Sequence, residues 1–204
     1  MTFALAVGTS QAFANTNNIV VLGDSLSAAY GIQVEQGWVK LLNDKLKDSY
    51  QVINASISGE TTDGGLRSLP ALLSKFKPTL VIIELGANDG LRGFPPPVIE
   101  KNLRALITQS KQQNAEVLLL GMHIPPNYGT AYANAFHTIY EKLADEYNTG
   151  LVPFMLEGVA TNPDFMQDDG LHPKANAQQT ILHTIWPHLS ALLRNTVTST
   201  AKEK

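Results

Sequence analysis

Ile19-Val20-Val21-Leu22-Gly23-Asp24-Ser25 is the stretch of sequence that points most directly to the fold of this chain. Four consecutive apolar residues that end at a glycine are typical of a strand buried on both faces. Strands are buried in this way in parallel sheets that carry helices on both sides. The polar residues after the glycine lie at the carboxyl end of the strand, which is where such sheets bind their ligands.

The rest of the chain alternates strand-like and helix-like segments. Further strands are predicted over residues 50–55, 80–85, 117–120 and 151–152. Apolar residues at helical spacing predict helices over 37–48, 64–75, 130–147 and 175–193, with a further helix opening at Pro97. We expect Pro70 to kink or shorten the second of these helices. The alternation predicts an α/β fold in three layers, a central parallel five-stranded sheet with helices on both faces.

Composition restricts the possible classes of protein. The chain has 204 residues, of which 44% are hydrophobic and 16% charged, a composition that suits one compact domain. A net charge of −3 argues against a nucleic-acid partner. The absence of cysteine excludes disulfides, a thiolate nucleophile and a cysteine-ligated metal. No segment approaches the length of a membrane-spanning helix, so we expect no stable membrane insertion.

The first fourteen residues resemble the truncated end of a secretory signal peptide. An apolar run over residues 3–7 is followed by Ala12-Phe13-Ala14, which has the small-x-small pattern of a signal-peptidase site. We therefore expect cleavage after Ala14, a mature single domain over residues 15–204, and a periplasmic or secreted protein. The alternative is an apolar tail or a short first helix.

Small and polar residues cluster in four segments, and the packing of a buried sheet does not explain their presence there. Three of them follow predicted strands, at residues 23–27, 54–62 and 86–90, and the fourth, at 168–173, precedes the last helix. The carboxyl ends of parallel strands lie along one edge of the sheet, so we expect the four segments to meet in one crevice.

The residues of this crevice suit acyl transfer, which needs a nucleophile, a base, an orienting group and donors for an oxyanion. Ser25 is the candidate nucleophile, placed where a strand is expected to turn into a helix, and His172 is the candidate base. Asp169 lies three positions before His172 and can hold its imidazole; the neighbouring Asp168 is the less favoured choice. The predicted oxyanion donors are the backbone N–H groups of Ser25 and Gly59 and the side-chain amide of Asn88.

Several of these residues also have simpler interpretations. We interpret Asp24 as a helix N-cap or turn anchor rather than a catalytic group. Ser25 can likewise cap a helix, and Asn88 can favour a turn. His123 follows a strand and is a candidate on the substrate side, as is Tyr128 in the stiff loop over 123–129. Three further histidines are expected at the surface: His137, His183 and His188. Their spacing does not support a metal site.

These segments, taken in order, resemble the SGNH (GDSL) hydrolase family. The family's Ser, Gly, Asn, Asp and His fall on Ser25, Gly59, Asn88, Asp169 and His172. Segments 58–62, 84–93 and 166–173 resemble the bacterial thioesterase I/lysophospholipase/arylesterase branch, and the likeness extends from about residue 19 to the last helix.

The resemblance implies a flavodoxin-like fold, no cofactor, and an acyl-enzyme route for cleaving carboxylic esters, thioesters or lysophospholipids. It also implies that the segment over 90–96 moves to cover the acyl chain, which makes Leu91 and Phe94 candidates on the substrate side. The chain contains no Gly-x-Ser-x-Gly elbow of the α/β-hydrolases.

Two other functions stay open at this point. The same site suits a carbohydrate O-acetyl esterase, and Gly23-Asp24-Ser25 at a helix N-terminus suits a lipid-binding or anion-binding module without catalysis. We expect the protein to be a monomer or a weak dimer.

Overall fold

The computed structural model describes residues 17–200, apart from the side chains of Pro126 and of residues 195–200. The expected signal segment over residues 1–14 lies outside the described residues.

The predicted five-stranded parallel sheet is confirmed. Its strands pair in the order β2-β1-β3-β4-β5, and all four pairings are parallel. The central strands are completely buried along most of their length, which agrees with their continuous apolar sequence. The bounds are Asn17–Gly23 (β1), Tyr50–Asn54 (β2), Leu80–Glu84 (β3), Glu116–Leu120 (β4) and Gly150–Val152 (β5).

Helices cover the sheet in two layers. One layer holds Trp38–Leu46 (α1) and Gln178–Thr200 (α6), which pack against each other. In the other layer Pro96–Gln112 (α4) packs between Thr62–Phe76 (α2) and Thr130–Tyr147 (α5). Each helix buries an apolar stripe against the sheet, so the fold is the three-layer arrangement expected from the sequence. None of the helices in the described part of the chain is both long and apolar enough to cross a membrane.

Three local details differ from the predictions. The helix α2 continues past Pro70 to Phe76, so the proline does not shorten it. The helix predicted at Ser25 is absent: residues 25–31 form successive turns, because Ala29 (φ 61°) and Gly31 (φ 75°) are left-handed. A short helix over Ala87–Leu91 (α3) was not predicted, because Asn, Asp and Gly are weak helix formers.

The order of the strands determines where the expected crevice lies. The chain continues from β1 to β2 on one side and later to β3 on the other side, so the connections diverge at the carboxyl ends of β1 and β3. Ligands of such sheets bind at this switch point. Ser25 follows β1 and Asn88 follows β3, so both lie beside it.

Candidate active site

Ser25, His172 and Asp169 form a hydrogen-bonded series at this edge of the sheet. The Ser25 hydroxyl lies 2.8 Å from His172 Nε2, and His172 Nδ1 lies 2.6 Å from Asp169 Oδ2. Ser25 and the imidazole are both half-buried. The structure therefore brings together three side chains that the sequence separates by up to 147 positions.

Asp169 is fixed by its own backbone surroundings. Its Oδ1 accepts hydrogen bonds from the backbone N–H groups of Leu171, at 2.9 Å, and His172, at 3.0 Å. The hydrogen bond from the His172 ring is the main cause that lowers the pKa of Asp169 to about 2, and these backbone bonds lower it further. The carboxylate is therefore ionised at neutral pH and can hold a proton on Nδ1 of the imidazole.

The loop that carries His172 is closed by Gln167. The backbone N–H of Gln167 donates to the His172 carbonyl at 2.7 Å, and its side-chain Nε2 donates to the carbonyls of Tyr30, at 2.9 Å, and Pro173, at 3.1 Å. The Tyr30 ring lies 4.5 Å from the imidazole, centroid to centroid. Sequence reasoning missed the roles of Gln167 and Tyr30, because polar and aromatic loop residues carry no periodic signal.

Asn88 is held next to the serine by Asp24. The Asn88 Nδ2 atom donates to Asp24 Oδ2 at 2.9 Å, and Asp24 Oδ1 accepts from the backbone N–H of Leu26 at 3.0 Å. Asp24 therefore anchors the turn that contains Ser25, one of the two interpretations that the sequence left open. An amide nitrogen carries two hydrogens, so Asn88 Nδ2 can donate a second hydrogen bond to another acceptor.

Gly59 lies in the loop after β2, which packs beside Gly23 through a 3.0 Å hydrogen bond from Ile57 N–H to the Gly23 carbonyl. Its φ of +79° is a left-handed value that favours glycine. The Gly59 carbonyl accepts from Arg92 Nη2 at 3.0 Å. This bond connects the Gly59 backbone to the segment that follows Asn88. The sequence did not indicate this role of Arg92 in holding the Gly59 loop.

A carboxyl group is buried beneath this site. Glu84 is completely inaccessible to solvent at the end of β3, and its Oε2 accepts from Asp24 N–H at 3.1 Å and from Ser27 Oγ at 2.7 Å. A Cβ at Gly23 would lie 2.7 Å from the same oxygen, which explains the glycine there. The signal in the sequence was an acidic residue in a strand whose other residues are apolar.

Three of the four candidate substrate-side residues lie together. The Tyr128 hydroxyl donates to the Leu91 carbonyl at 3.0 Å, and the Tyr132 hydroxyl donates to the Phe94 carbonyl at 2.8 Å. Phe94 and Tyr128 are 37% and 40% exposed, so apolar surface is available beside α3. The helix α5 thus holds the segment after Asn88 through Tyr132, a residue that the sequence did not single out.

His123 packs against other aromatic residues. Its ring centroid lies 3.8 Å from that of His137 and 4.4 Å from that of Phe154. Burial lowers the pKa of His123, and the adjacent His137 lowers it further. His137 was predicted at the surface, and the structure leaves it half-buried beside His123, with 24% of its side chain exposed. His183 and His188 are exposed, as predicted.

The described residues contain no group of three His, Asp or Glu side chains that could hold a metal ion. The side chains and backbone groups gathered at this edge of the sheet include a hydroxyl, an imidazole, carboxyl groups and amide donors.

Several known proteins are similar to this chain along nearly its whole length. A model of the GDSL-like lipase/acylhydrolase family matches residues 21–180. Esterase TesA of Pseudomonas aeruginosa is 50% identical over 193 residues, which cover 93% of this chain and 95% of that protein. Thioesterase 1/protease 1/lysophospholipase L1 of Escherichia coli is 46% identical over 182 residues, covering 89% and 88%.

Among solved structures, the psychrotrophic esterase EstA from Pseudoalteromonas sp., inhibited by monoethylphosphonate, superposes with a TM-score of 0.83. It is 46% identical, and the match covers 87% of this chain and 99% of that one. The family match spans more than half of the sequence, and the relatives match it almost end to end. This chain belongs to the GDSL-like lipase/acylhydrolase family.

Proposed function

We propose that this protein is a serine hydrolase that cleaves carboxylic esters and thioesters through an acyl-enzyme. The observation that carries the proposal is the 2.8 Å contact between the Ser25 hydroxyl and His172 Nε2, in a site whose imidazole is held by Asp169. A hydroxyl with a base in hydrogen-bond reach, and an ionised group that orients the base, is the arrangement of an activated nucleophile.

In the acylation step, Ser25 Oγ attacks the acyl carbonyl carbon and its proton passes to His172 Nε2. Asp169 keeps the other ring proton on Nδ1 and stabilises the imidazolium that forms. The negative charge on the former carbonyl oxygen is held by the N–H groups of Ser25 and Gly59 and by Asn88. The tetrahedral intermediate then collapses, the bond to the leaving group breaks, and His172 donates its proton to the alkoxide or thiolate.

Water completes the cycle by the same route. His172 takes a proton from water, the hydroxide attacks the acyl-Ser25 carbonyl, and the same three donors hold the second oxyanion. Collapse releases the carboxylic acid, and His172 returns its proton to Ser25 Oγ. Every proton is thus carried by one imidazole, and the site regenerates without a cofactor.

The substrate class follows from the surface beside the nucleophile. The rings of Phe94 and Tyr128 offer apolar contact, and we assign them, with Leu91, to the acyl side of the substrate. His123 is proposed at the edge of the same region. Relatives named esterase and thioesterase 1/lysophospholipase L1 support acyl esters, acyl thioesters and lysophospholipids as substrates.

The remaining expectations belong to the same proposal. We infer a periplasmic or secreted enzyme with a mature domain over residues 15–204, which acts as a monomer or weak dimer without a nucleic-acid partner. The single continuous core of the described residues supports one domain. Mass spectrometry of the N-terminus of the secreted protein tests the cleavage after Ala14.

A hydrolysis panel tests the function and its alternatives. We expect p-nitrophenyl esters and acyl-CoA thioesters of several chain lengths to be cleaved, with all activities lost in Ser25→Ala. Turnover of acetylated sugars alone, without thioester cleavage, would favour the O-acetyl esterase. A folded wild type that cleaves none of these substrates would favour the binding module. The structure weakens the anion-binding version of that alternative, because it required a helix N-terminus at Ser25 and residues 25–31 form turns.

A further inference from the structure

Glu84 uses only one of its two carboxyl oxygens. Its Oε2 accepts two hydrogen bonds, from Asp24 N–H and Ser27 Oγ, whereas its Oε1 is buried and receives no hydrogen bond from a donor within residues 17–200. A buried carboxylate oxygen without a donor is costly, since desolvation of a charged acceptor is not compensated. An oxygen that carries a proton, by contrast, needs an acceptor.

Asp24 is the complementary partner. Both of its oxygens accept hydrogen bonds from nitrogen donors, Oδ1 from Leu26 N–H at 3.0 Å and Oδ2 from Asn88 Nδ2 at 2.9 Å. Donors at both oxygens suit an ionised carboxylate, which only accepts. Of the two adjacent carboxyl groups, Asp24 therefore has the surroundings of an anion and Glu84 those of a neutral acid.

We propose that Glu84 is a positioning residue for the oxyanion donor Asn88: it keeps a proton on Oε1 and donates it to the Asp24 carboxylate, which in turn holds the Asn88 amide. This role rests on the proposed function, because Asn88 needs a fixed orientation only if it stabilises an oxyanion. The series Glu84–Asp24–Asn88 runs from the fully buried end of β3 to the surface of the crevice.

The electrostatics of the surrounding groups support this assignment. Burial raises the pKa of Glu84 well above its ordinary value, and the adjacent Asp24 raises it further. Burial also raises the pKa of Asp24 to about 6, against the hydrogen bonds from Leu26, Glu84 and Asn88 and the attraction of His172. One proton shared by two close carboxyl groups is the expected result of their mutual repulsion.

Two other titratable groups face the pair. Asp89 is buried next to Asn88 and accepts from Thr62 N–H at 2.9 Å, while the Tyr140 hydroxyl donates to the Leu85 carbonyl at 2.9 Å. Burial raises the pKa of Tyr140 well above its ordinary value, which keeps its phenol neutral.

Three substitutions separate this role from a merely structural one: Glu84→Gln, Glu84→Ala and Asp24→Asn. Glutamine can donate from Nε2 to Asp24 and accept at Oε1 from Asp24 N–H and Ser27, so it reproduces every bond of the neutral acid. We expect Glu84→Ala to lower kcat about 10-fold to 10²-fold with little change in KM, and Glu84→Gln to restore most of it. Asp24→Asn places an N–H where an acceptor is needed, and we expect a loss of kcat of about 10².

Infrared spectroscopy reads the proton directly and needs no activity. At pH near 7 the wild type is expected to show the C=O stretch of a protonated carboxylic acid, and Glu84→Gln to lack it. An absent band in the wild type, an Asp24→Asn enzyme with wild-type kcat, or a Glu84→Gln enzyme as impaired as Glu84→Ala would each overturn the proposal. If Glu84→Ala does not fold, the other two variants and the infrared band still decide.

The two proposals fail in different ways. A folded wild type that shows the acid band but hydrolyses no ester would refute the proposed function and leave the proton on Glu84. An active enzyme without the band would refute the role of Glu84 and leave the serine hydrolase intact.

Discussion

The Gln167 side chain joins the loop of Ser25 to the loop of His172, through a 2.9 Å hydrogen bond from its Nε2 to the Tyr30 carbonyl. Gln167 also bonds to the backbone of His172 and Pro173, so one residue holds both sides of the Ser25–His172 contact. The two loops come from opposite ends of the sequence. We infer that this link, together with the sheet, fixes the distance in space between the two loops.

Gln167→Leu removes the link at nearly constant volume. We expect kcat to fall about 10-fold to 10²-fold with little change in KM, because a shift of about 1 Å between reacting groups costs about 10² in rate. Steady-state kinetics on a p-nitrophenyl ester measures the effect. Gln179→Leu on the exposed face of α6 is the matched control and is expected to stay within about twofold. Equal activities of the two variants would contradict a positioning role for Gln167.

Asp169 and Asp168 are adjacent, but only Asp169 contacts the imidazole. We expect Asp169→Asn to lower kcat by about 10²–10⁴, since an amide in place of the carboxylate favours the wrong tautomer of His172. Asp168→Asn changes an exposed side chain and is expected to act like the wild type. Comparable losses in both variants would show that net charge, rather than the bond to His172, is responsible.

Asn88 is the side-chain member of the expected oxyanion hole. Asn88→Ala is expected to lower kcat by about 10²–10³, the usual effect of removing one such donor. The exposed Asn134 on α5 provides the control substitution, Asn134→Ala, which we expect to be silent. A loss smaller than about threefold in Asn88→Ala would remove Asn88 from the oxyanion hole.

Stability should depend on pH through Glu84. Its folded pKa is raised above the ordinary value of 4.5, so above that pH the unfolded chain releases a proton that the folded protein keeps. The native state then binds more protons, and the free energy of unfolding falls as pH rises towards the folded pKa. Glu84→Gln removes this contribution.

The thermal midpoint measures that difference. As the pH rises above 4.5, the ordinary pKa of a glutamate, we expect the midpoint of Glu84→Gln to increase relative to that of the wild type. The pKa of Asp24 is also raised, to about 6, so Asp24 adds a further decrease in the free energy of unfolding with rising pH, at lower pH values and in both proteins. Parallel midpoints across the range would mean that Glu84 ionises alike in the folded and unfolded states.

The sheet was predictable because its main strands consist of consecutive apolar residues. The residues of β1 and β3 are buried on both faces, so their sequences show no alternation, and each ends in the small polar residues of the crevice. Of the site, the spacing of Asp169 to His172 and the order of the four polar segments were visible in the sequence. The predicted bounds of the second helix, 64–75, lie within two residues of the observed Thr62–Phe76, although Pro70 was expected to kink or shorten it.

The rest depends on contacts between distant segments. The turns at Ser25 follow from left-handed backbone at Ala29, a conformation that an alanine in the sequence does not indicate. Gln167 and Arg92 act through backbone carbonyls of other loops, and polar loop residues with such roles look like any others in the sequence. Glu84 was marked by a charge in an apolar strand, but its partner became apparent only with the packing of β3 beside β1.

The most direct test of the account is to ask which serine becomes covalently modified. The protein is treated with a fluorophosphonate, and the adduct is counted by intact mass and located by peptide mass spectrometry. We expect one adduct per chain on Ser25, its loss in Ser25→Ala, and its retention in Ser58→Ala, which changes an exposed serine after β2. Stoichiometric labelling of folded Ser25→Ala, or an adduct on another residue of the wild type, would contradict the account.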